Sequence, residues 1–373
     1  MKKLCVLLLA LTLSGCSLLD VLSEPAVDLN GGGGTATFSP SNETMNYHYH
    51  QLSEEEQRLY GLLLPALEEM AEAIELGQTD GQALQNAFVA VMQDNPALFH
   101  VENDYTYEEY SDGTITMKPQ YYFDAQRKAD IQEQIDAQTE TILHDLPADT
   151  QEAAWYLYEY VAEHAEYASG PQDQSMVSFF LDGQTVCAGY AKTYQYLMEK
   201  AGIPTTYISG ELNSDEAQAL YGTSAHAWNM VNIGGDYYYM DVTSGDVTQY
   251  GPHVCHQYFM MSSQEMDEMY TADGAVEETA DPQGSYMQNH GLYLETYDET
   301  VLQNAIDEMR ARGDQVLELR TAPRQGEQLR EELLQGNRIF DLLQRNGFEV
   351  VSVMCKVGGR DKCAAGVPDE HKL

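Results

Sequence analysis

Hydrophobic residues in the N-terminal half of the chain recur at intervals of three and four, which is the spacing of amphipathic helices. Ser53 and Glu56 form a capping box, and the apolar series that follows predicts a helix through Leu76. Pro65 is expected to kink this helix or to shift its start. The other predicted elements are helices over 81–93, 125–146 and 148–167, and strands over 99–101, 105–110 and 114–123. Residues 41–147 are therefore expected to form an N-terminal α+β region.

The chain beyond residue 250 has a different pattern. Residues 251–290 show no sustained period, so they are expected to be an irregular connector. A strand–helix–strand–helix–strand alternation follows over 291–357, and it predicts a small C-terminal α/β subdomain. The tail, 358–373, is expected to be disordered.

The start of the chain has the layout of a signal peptide. A short basic segment, Met1–Lys3, precedes the apolar run Leu4–Leu13, which is too short for a stable membrane span. The run ends in Leu-Ser-Gly-Cys, which resembles a bacterial lipobox with Cys16 as the lipid-bearing residue; an ordinary signal with a chance cysteine is the alternative. The resemblance implies a signal peptide over 1–15 and export to the outer face of the cytoplasmic membrane. The glycine-rich segment 16–40 is then a flexible tether behind the lipid anchor.

The composition is strongly acidic, with 60 Asp and Glu against 19 Lys and Arg and a formal net charge of −41. Such a surface repels phosphate backbones and anionic lipid, so nucleic-acid binding is not expected. The expected contact with a membrane is the lipid anchor alone. Cationic partners would be attracted, although solubility or a salty habitat explains the same charge.

Three cysteines permit one disulfide in an exported protein, and the sequence does not decide whether it forms. They are Cys255, Cys355 and Cys363, of which the last two are nearest in sequence. The segment 253–256 contains two histidines and a cysteine, but it has no companion pair elsewhere in the chain. Neither a metal site nor a cofactor is therefore expected.

Residues suited to thiol chemistry lie in the middle of the chain. Helical spacing over 188–200 puts Cys187 at a helix N-terminus, where free backbone N–H groups favour a thiolate and an oxyanion. A predicted β-hairpin around Gly234-Gly235 brings His226 and Asp241 to opposite or diagonal positions, so that the carboxylate orients the imidazole as a general base. His164 is the other candidate base, although a histidine on a helical face is more often a core or surface residue.

This stretch resembles the transglutaminase-like superfamily of papain-type thiol enzymes. The resemblance is strong over 148–246, and it is carried by Val186–Ala191, Ala201–Gly210, His226–Val231 and Gly235–Thr243. It implies an α+β fold with a papain/transglutaminase-like core over 148–250, in which the nucleophile-bearing helix packs on an antiparallel sheet. One departure is Thr243-Ser244, where the family often has Thr-Trp, so one wall of the cleft is expected to differ.

The family implies a role for each matching residue. Cys187 would be the nucleophile, His226 the general base and Asp241 the group that orients it. Attack on a peptide or carboxamide carbonyl would give a thioester, which water or an amine resolves, and the sequence leaves that choice open. Gln184 is a candidate for the oxyanion hole, although backbone N–H groups suffice, and Trp228 is expected to form a wall of the site.

The expected protein is thus a hydrolase or acyltransferase acting on peptides or proteins at the cell envelope, with cell-wall peptides among the candidates. The competing interpretation is a non-catalytic binding or scaffold lipoprotein that keeps the fold for recognition. The presence of all three triad residue types favours the enzyme, because a binding module does not need them.

Overall fold

The computed structural model describes most of the chain from residue 45 onwards. The described residues are 45–213, 223–246, 254–281, 284–312, 319–321, 329, 331–333, 338–347, 353–357 and 360–364. The predicted signal peptide, Cys16 and the tether lie outside them. The chain forms two compact units, one made of Met1–Leu146 with Ala168–Tyr207 and the other of Pro147–Tyr167 with Ile208–Leu373.

Helices and short, mostly antiparallel sheets make up both units, as predicted for an α+β fold. In chain order the helices are α1 Tyr47–Gln51, α2 Glu54–Glu68, α3 Gly81–Asp94, α4 Ala125–His144, α5 Thr150–His164, α6 Met176–Asp182, α7 Cys187–Lys200, α8 Val242–Gly245, α9 Ser263–Met269, α10 Tyr286–Asn289, α11 Glu299–Arg312 and α12 Arg338–Arg345. The strands are β1 Ile74–Gln78, β2 Val101–Glu109, β3 Thr114–Tyr121, β4 Glu166–Tyr167, β5 Gln184–Thr185, β6 Thr205–Leu212, β7 Ala225–Ile233, β8 Asp236–Met240, β9 Tyr270–Ala272, β10 Tyr293–Leu294, β11 Arg320–Thr321, β12 Val353–Val357 and β13 Arg360–Ala364. Within the described ranges, no helix is long and apolar enough to cross a membrane.

The N-terminal part of the first unit packs α2 and α3 against a three-stranded sheet of order β1-β3-β2. The capping box is present, since Ser53 Oγ accepts the N–H of Glu56 and Glu56 Oε2 accepts the N–H of Ser53. The predicted helix through Leu76 was wrong beyond Glu68. Met70 takes a left-handed conformation (φ 58°) just after α2, and the apolar residues at 74 and 76 belong to strand β1. Two apolar residues two positions apart fit a strand as well as they fit a helix tail.

The centre of the first unit is α7. Every residue from Cys187 to Met198 is buried, including the polar ones. The preceding helix, α6, ends at Gly183 in the left-handed conformation (φ 68°), which allows the chain to reverse into β5 and then enter α7. The helix that carries Cys187 was predicted over 188–200, and this prediction is confirmed.

The second unit contains a four-stranded sheet of order β8-β7-β6-β9. Strands β7 and β8 are antiparallel, and Ile233 pairs with Asp236 so that Gly234-Gly235 forms a two-residue turn. Both glycines have positive φ, 68° and 93°, which is the requirement of a type I′ hairpin turn. The predicted hairpin is therefore confirmed.

The C-terminal segment of the second unit contains the predicted strand–helix–strand, because β10 and β11 are parallel and α11 lies between them in the chain. Both strands are only two residues long in the described residues. Strand β12 pairs with β13, with Val357 opposite Arg360. Strand β13 lies within the tail, 358–373, that was expected to be disordered.

Candidate active site

Cys187 is the first residue of α7, as predicted. Val186 is extended and caps the helix, and its carbonyl accepts the N–H groups of Gly189 and Tyr190 at 2.9 and 3.0 Å. The thiol belongs to a residue that is only 6% exposed, and it is not in a disulfide. The first-turn N–H groups and the positive end of the helix dipole favour negative charge at this position.

The first turn of α7 is fixed by close contacts at Gly189. A Cβ on this residue would lie 1.8 Å from Thr185 Oγ1 and 2.6 Å from the carbonyl oxygen of Asp173. Thr185 Oγ1 itself donates to that carbonyl at 2.8 Å, and Val186 N–H donates to it at 3.1 Å. The segment before the cysteine is therefore held to the loop at Asp173, and only glycine fits where they meet.

His226 and Asp241 form a buried pair in the second unit. His226 Nε2 lies 2.8 Å from Asp241 Oδ2, and the two residues are 8% and 0% exposed. Because Asn229 pairs with Met240, continuing the register places Asp241 opposite Trp228 and makes His226 its diagonal neighbour. This is one of the two arrangements predicted from the hairpin. With Nε2–H donating to the carboxylate, Nδ1 is the nitrogen that has a lone pair for a proton.

The carboxylate of Asp241 is ionised at neutral pH. Burial raises the pKa of Asp241, but the charge and hydrogen bond of His226 together with hydrogen bonds from Ser244 outweigh that effect. The net pKa therefore lies below the ordinary value for an aspartate. Ser244 N–H donates to Oδ1 at 3.0 Å, so Asp241 also caps the short helix α8.

The backbone of Asp241 is held as firmly as its side chain. Its N–H donates to the carbonyl of Tyr258 at 2.9 Å, and its carbonyl accepts the hydroxyl of Tyr158 at 3.0 Å. The Tyr158 hydroxyl also lies 3.0 Å from the carbonyl of Cys255. Helix α5 and the segment after residue 254 therefore meet at the aspartate.

Arg320 stabilises this segment from the C-terminal side. Its side chain is 5% exposed, and its guanidinium donates to four carbonyls of one short segment. These are the carbonyls of His256 at 2.9 Å, Phe259 at 2.7 Å, Met260 at 3.1 Å and also Gln257. We refer to this arrangement of Arg320 and residues 256–260 as the Arg320 clasp. It supplies donors to carbonyls in the interior, of which that of His256 also accepts the N–H of Phe259 at 3.1 Å.

Tyr270 is a site residue that sequence reasoning missed. Its hydroxyl donates to Asp241 Oδ2 at 2.7 Å, the oxygen that also accepts His226. Its ring is nearly parallel to that of His226 (16°, centroids 5.9 Å apart) and lies 4.9 Å from that of Trp228. Tyr270 begins β9, within the stretch 251–290 that was expected to be irregular. No motif or spacing in the sequence points to it.

The remaining predicted residues have different surroundings. Trp228 is buried in the second unit, with its ring nearly parallel to that of His226 at 6.2 Å. Gln184 is an exposed residue of β5 in the first unit. His164 is exposed at the end of α5, where it stacks on Tyr160 at 4.0 Å and its Nδ1 bonds the carbonyl of that residue. His226, Asp241 and Trp228 thus lie together in the second unit, and Cys187 and Gln184 belong to the first.

The described residues contain no group of three or more His, Cys, Asp or Glu side chains suited to a metal ion. His256, from the cluster noted in the sequence, is 5% exposed and stacks on Trp155 at 3.6 Å. Its Nε2 lies 3.1 Å from Glu159 Oε1. His253 lies outside the described residues, as do the side chains of Cys355 and Cys363, the pair nearest in sequence for the disulfide that the sequence left open.

Residues 136–242 match the family described as the transglutaminase-like superfamily. The matched residues include the helix of Cys187 and the hairpin of His226 and Asp241. This part of the chain is therefore a transglutaminase-like superfamily domain. No curated protein sequence matches the chain.

Solved structures with local similarity include one described as a TGase and the periplasmic domain of TgpA from Pseudomonas aeruginosa. The first is 12% identical, with 44% of this chain and 48% of that chain covered and a TM-score of 0.27. The second is 16% identical, with 38% and 62% covered and a TM-score of 0.24. This chain covers less than two thirds of either structure. At these scores they add nothing to the family assignment.

Proposed function

We propose that this protein is a thiol enzyme of the transglutaminase-like type that attacks peptide or carboxamide bonds through a thioester on Cys187. Its place of action is the cell envelope, where a lipid on Cys16 anchors it to the outer face of the cytoplasmic membrane. The observation that carries the proposal is the buried pair of His226 and Asp241. The family match supports the class of chemistry.

The buried pair supports a catalytic role because an ionised aspartate in the interior destabilises the fold unless it is fully hydrogen-bonded. Asp241 is completely buried, and its oxygens accept His226, Tyr270 and Ser244. A structural hairpin has no need of an ionised carboxylate at this position. A general base does, because the carboxylate fixes the ring plane and the tautomer of the imidazole.

The proposed reaction begins when His226 Nδ1 takes the thiol proton of Cys187. The sulfur then bonds to the carbonyl carbon of the substrate, and the C=O π electrons move onto oxygen to give an oxyanion. Collapse of this intermediate breaks the C–N bond, and the imidazolium returns its proton to the departing amine or ammonia. Water or a second amine, deprotonated by His226, attacks the thioester and releases the thiolate, which takes the proton back.

The start of α7 supports the role of Cys187 in this reaction. A cysteine at the first position of a helix has free backbone N–H groups beside it, and these suit both a thiolate and an oxyanion. Gly189 keeps that turn in close contact with the preceding loop. Backbone groups are therefore the proposed oxyanion donors, and Gln184 is a secondary candidate.

The test compares the full-length protein with Cys187→Ser, His226→Ala and, as a matched cysteine control, Cys255→Ser. Cys255 is partly exposed and lies outside the proposed triad, so loss of its thiol should leave activity unchanged. Iodoacetamide should alkylate Cys187 faster than Cys255 in the wild type, and His226→Ala should remove that advantage. Equal alkylation of the two thiols in the wild type would contradict the proposal.

The fate of the thioester is read by mass spectrometry of peptide mixtures and cell-wall fragments incubated with wild type and Cys187→Ser. Hydrolysis gives shortened peptides or deamidated side chains, and acyl transfer gives isopeptide-linked products. Either set of products must be absent from the Cys187→Ser reaction and present with Cys255→Ser. If neither set appears with the wild type, a non-catalytic binding role is favoured instead.

A further inference from the structure

We propose that Tyr270 is a positioning residue that limits how strongly Asp241 holds the protonated form of His226. The proposal rests on the proposed function, because it assigns Tyr270 to the base of that reaction. The geometry that carries it is the sharing of one carboxylate oxygen. Asp241 Oδ2 accepts His226 Nε2 at 2.8 Å and the Tyr270 hydroxyl at 2.7 Å.

Two donors at the same oxygen compete for its negative charge. A hydrogen bond from a neutral hydroxyl stabilises the carboxylate and reduces what the oxygen offers to a second donor. The imidazolium form of His226 is the species that gains most from the carboxylate. Tyr270 therefore weakens the preference for that form while leaving the orientation of the ring intact.

The tyrosine ring restrains the histidine as well. Its plane is within 16° of the imidazole plane, and it also lies against Trp228. Residue 270 is completely buried in the second unit, and its backbone pairs with Leu212 of β6. The hydroxyl therefore reaches Asp241 Oδ2 from strand β9, whereas His226 lies on strand β7.

Tyr270 stays protonated near neutral pH, so its hydroxyl keeps a proton to donate to Asp241 Oδ2. Burial is the main cause that raises the pKa of Tyr270 well above its ordinary value, and the charge of Asp241 adds to it. The other groups around the pair are Tyr258, which also raises the pKa of Tyr270, and the neutral Ser244. In the described part of the chain, His226 is the charged group that lowers the pKa of Asp241.

The test is Tyr270→Phe in the full-length protein, which removes the hydroxyl and keeps the ring. Tyr238→Phe is the matched control, because Tyr238 is also buried in the second unit and its hydroxyl donates at 2.9 Å to the carbonyl of Asp281. The readout is the titration of the His226 ring, followed by NMR with 15N-labelled histidine and assigned with His226→Gln.

Tyr270→Phe should raise the pKa of His226 by roughly 0.5 to 1 unit relative to wild type, since Asp241 Oδ2 then accepts a hydrogen bond from the imidazolium and none from residue 270. Tyr238→Phe should leave the titration of His226 unchanged even if it destabilises the fold equally. An unchanged or lowered pKa in Tyr270→Phe would overturn the proposal. On the alkaline side, Cys187 should lose its alkylation advantage at a higher pH in Tyr270→Phe than in wild type, because that pH follows the pKa of His226.

A second variant covers the case in which Tyr270→Phe does not fold. Replacing Tyr270 by 3-fluorotyrosine keeps its shape and makes the phenol a stronger donor, so the pKa of His226 should fall below that of wild type. A rise would overturn the proposal. The His226 titration does not need catalysis: if the alkylation of Cys187 refutes the proposed function, the titration still decides whether Tyr270 acts on the pair.

Discussion

Replacing Asp241 by asparagine is the most direct perturbation of the base. The wild-type carboxylate accepts His226 and Tyr270 at Oδ2 and Ser244 at Oδ1. An amide supplies only one acceptor oxygen, and its NH2 group must face donors on the other side. If the oxygen stays with His226 and Tyr270, the partly buried N–H of Ser244 loses its acceptor, which costs about 1 kcal/mol.

The alternative orientation damages the base itself. If the amide oxygen turns to Ser244, its NH2 group faces His226 Nε2, and the imidazole must accept there and carry its proton on Nδ1. That is the wrong tautomer for a base acting through Nδ1. Because the wrong tautomer adds to the loss of the carboxylate charge, we expect kcat/KM and the alkylation advantage of Cys187 to fall by roughly 10²–10⁴-fold in Asp241→Asn. The free energy of unfolding should fall by about 2–4 kcal/mol in either orientation.

The assay pairs iodoacetamide alkylation with urea unfolding at several pH values, and Asp236→Asn is the control. Asp236 lies in the same hairpin, accepts the N–H of Ala280 at 2.8 Å and has no contact with His226 among the described interactions. It should alter stability modestly and leave alkylation unchanged. If Asp241→Asn alkylates at the wild-type rate, or behaves like Asp236→Asn, Asp241 does not orient the base.

The pH dependence of stability provides a second readout. The folded-state pKa of Asp241 lies below its unfolded value of about 3.9. The ionised form therefore stabilises the fold at neutral pH, and this contribution is lost as the pH falls through the folded pKa. The stability difference between wild type and Asp241→Asn should narrow below about pH 4, whereas a constant difference would show that the charge is not involved.

Three further changes test other parts of the structure. Gly189→Ala should lower the free energy of unfolding by about 1–3 kcal/mol and slow the alkylation of Cys187, because its Cβ would meet Thr185 Oγ1 at 1.8 Å. Near-wild-type stability in urea would contradict the close contact. Arg320→Met should lower the free energy of unfolding by about 2–5 kcal/mol, since the carbonyls of the Arg320 clasp lose the guanidinium donors. A change under 1 kcal/mol would show that other groups replace the guanidinium. Glu199→Gln should stabilise the fold at pH 9 and not at pH 4. Burial raises the pKa of Glu199 to about 8, so wild-type stability falls as the pH rises from the unfolded-state pKa towards that value. The exposed Glu163→Gln is the control in urea titrations.

The elements that hold the predicted triad residues could be read from local signals. Helical spacing located α7 and therefore Cys187 at its start, and the pair Gly234-Gly235 fixed the hairpin. Once the turn is set at two residues, the register follows, and with it the diagonal relation of His226 and Asp241. These are consequences of short-range geometry, which a single sequence carries.

The parts that were missed depend on contacts between distant positions. The Tyr270 hydroxyl reaches a residue 29 positions away, and the Arg320 guanidinium reaches carbonyls 60 or more positions away. No period or motif in one sequence marks such a partner. The wrong helix boundary after Glu68 has another cause, because Ile74 and Leu76 satisfy both helical and strand spacing and only pairing with β3 decides between them.

The Arg320 clasp has a consequence for how much of the chain the proposed site needs. The family match ends at residue 242, one position after Asp241. Yet Asp241 is held by Tyr258 and Tyr270, and Arg320 binds the carbonyls on both sides of Tyr258. A fragment excised at the family boundary would keep every triad residue and lose the structure that orients the base. For the proposed enzyme, the shortest fragment that keeps these contacts with Asp241 extends to at least residue 321.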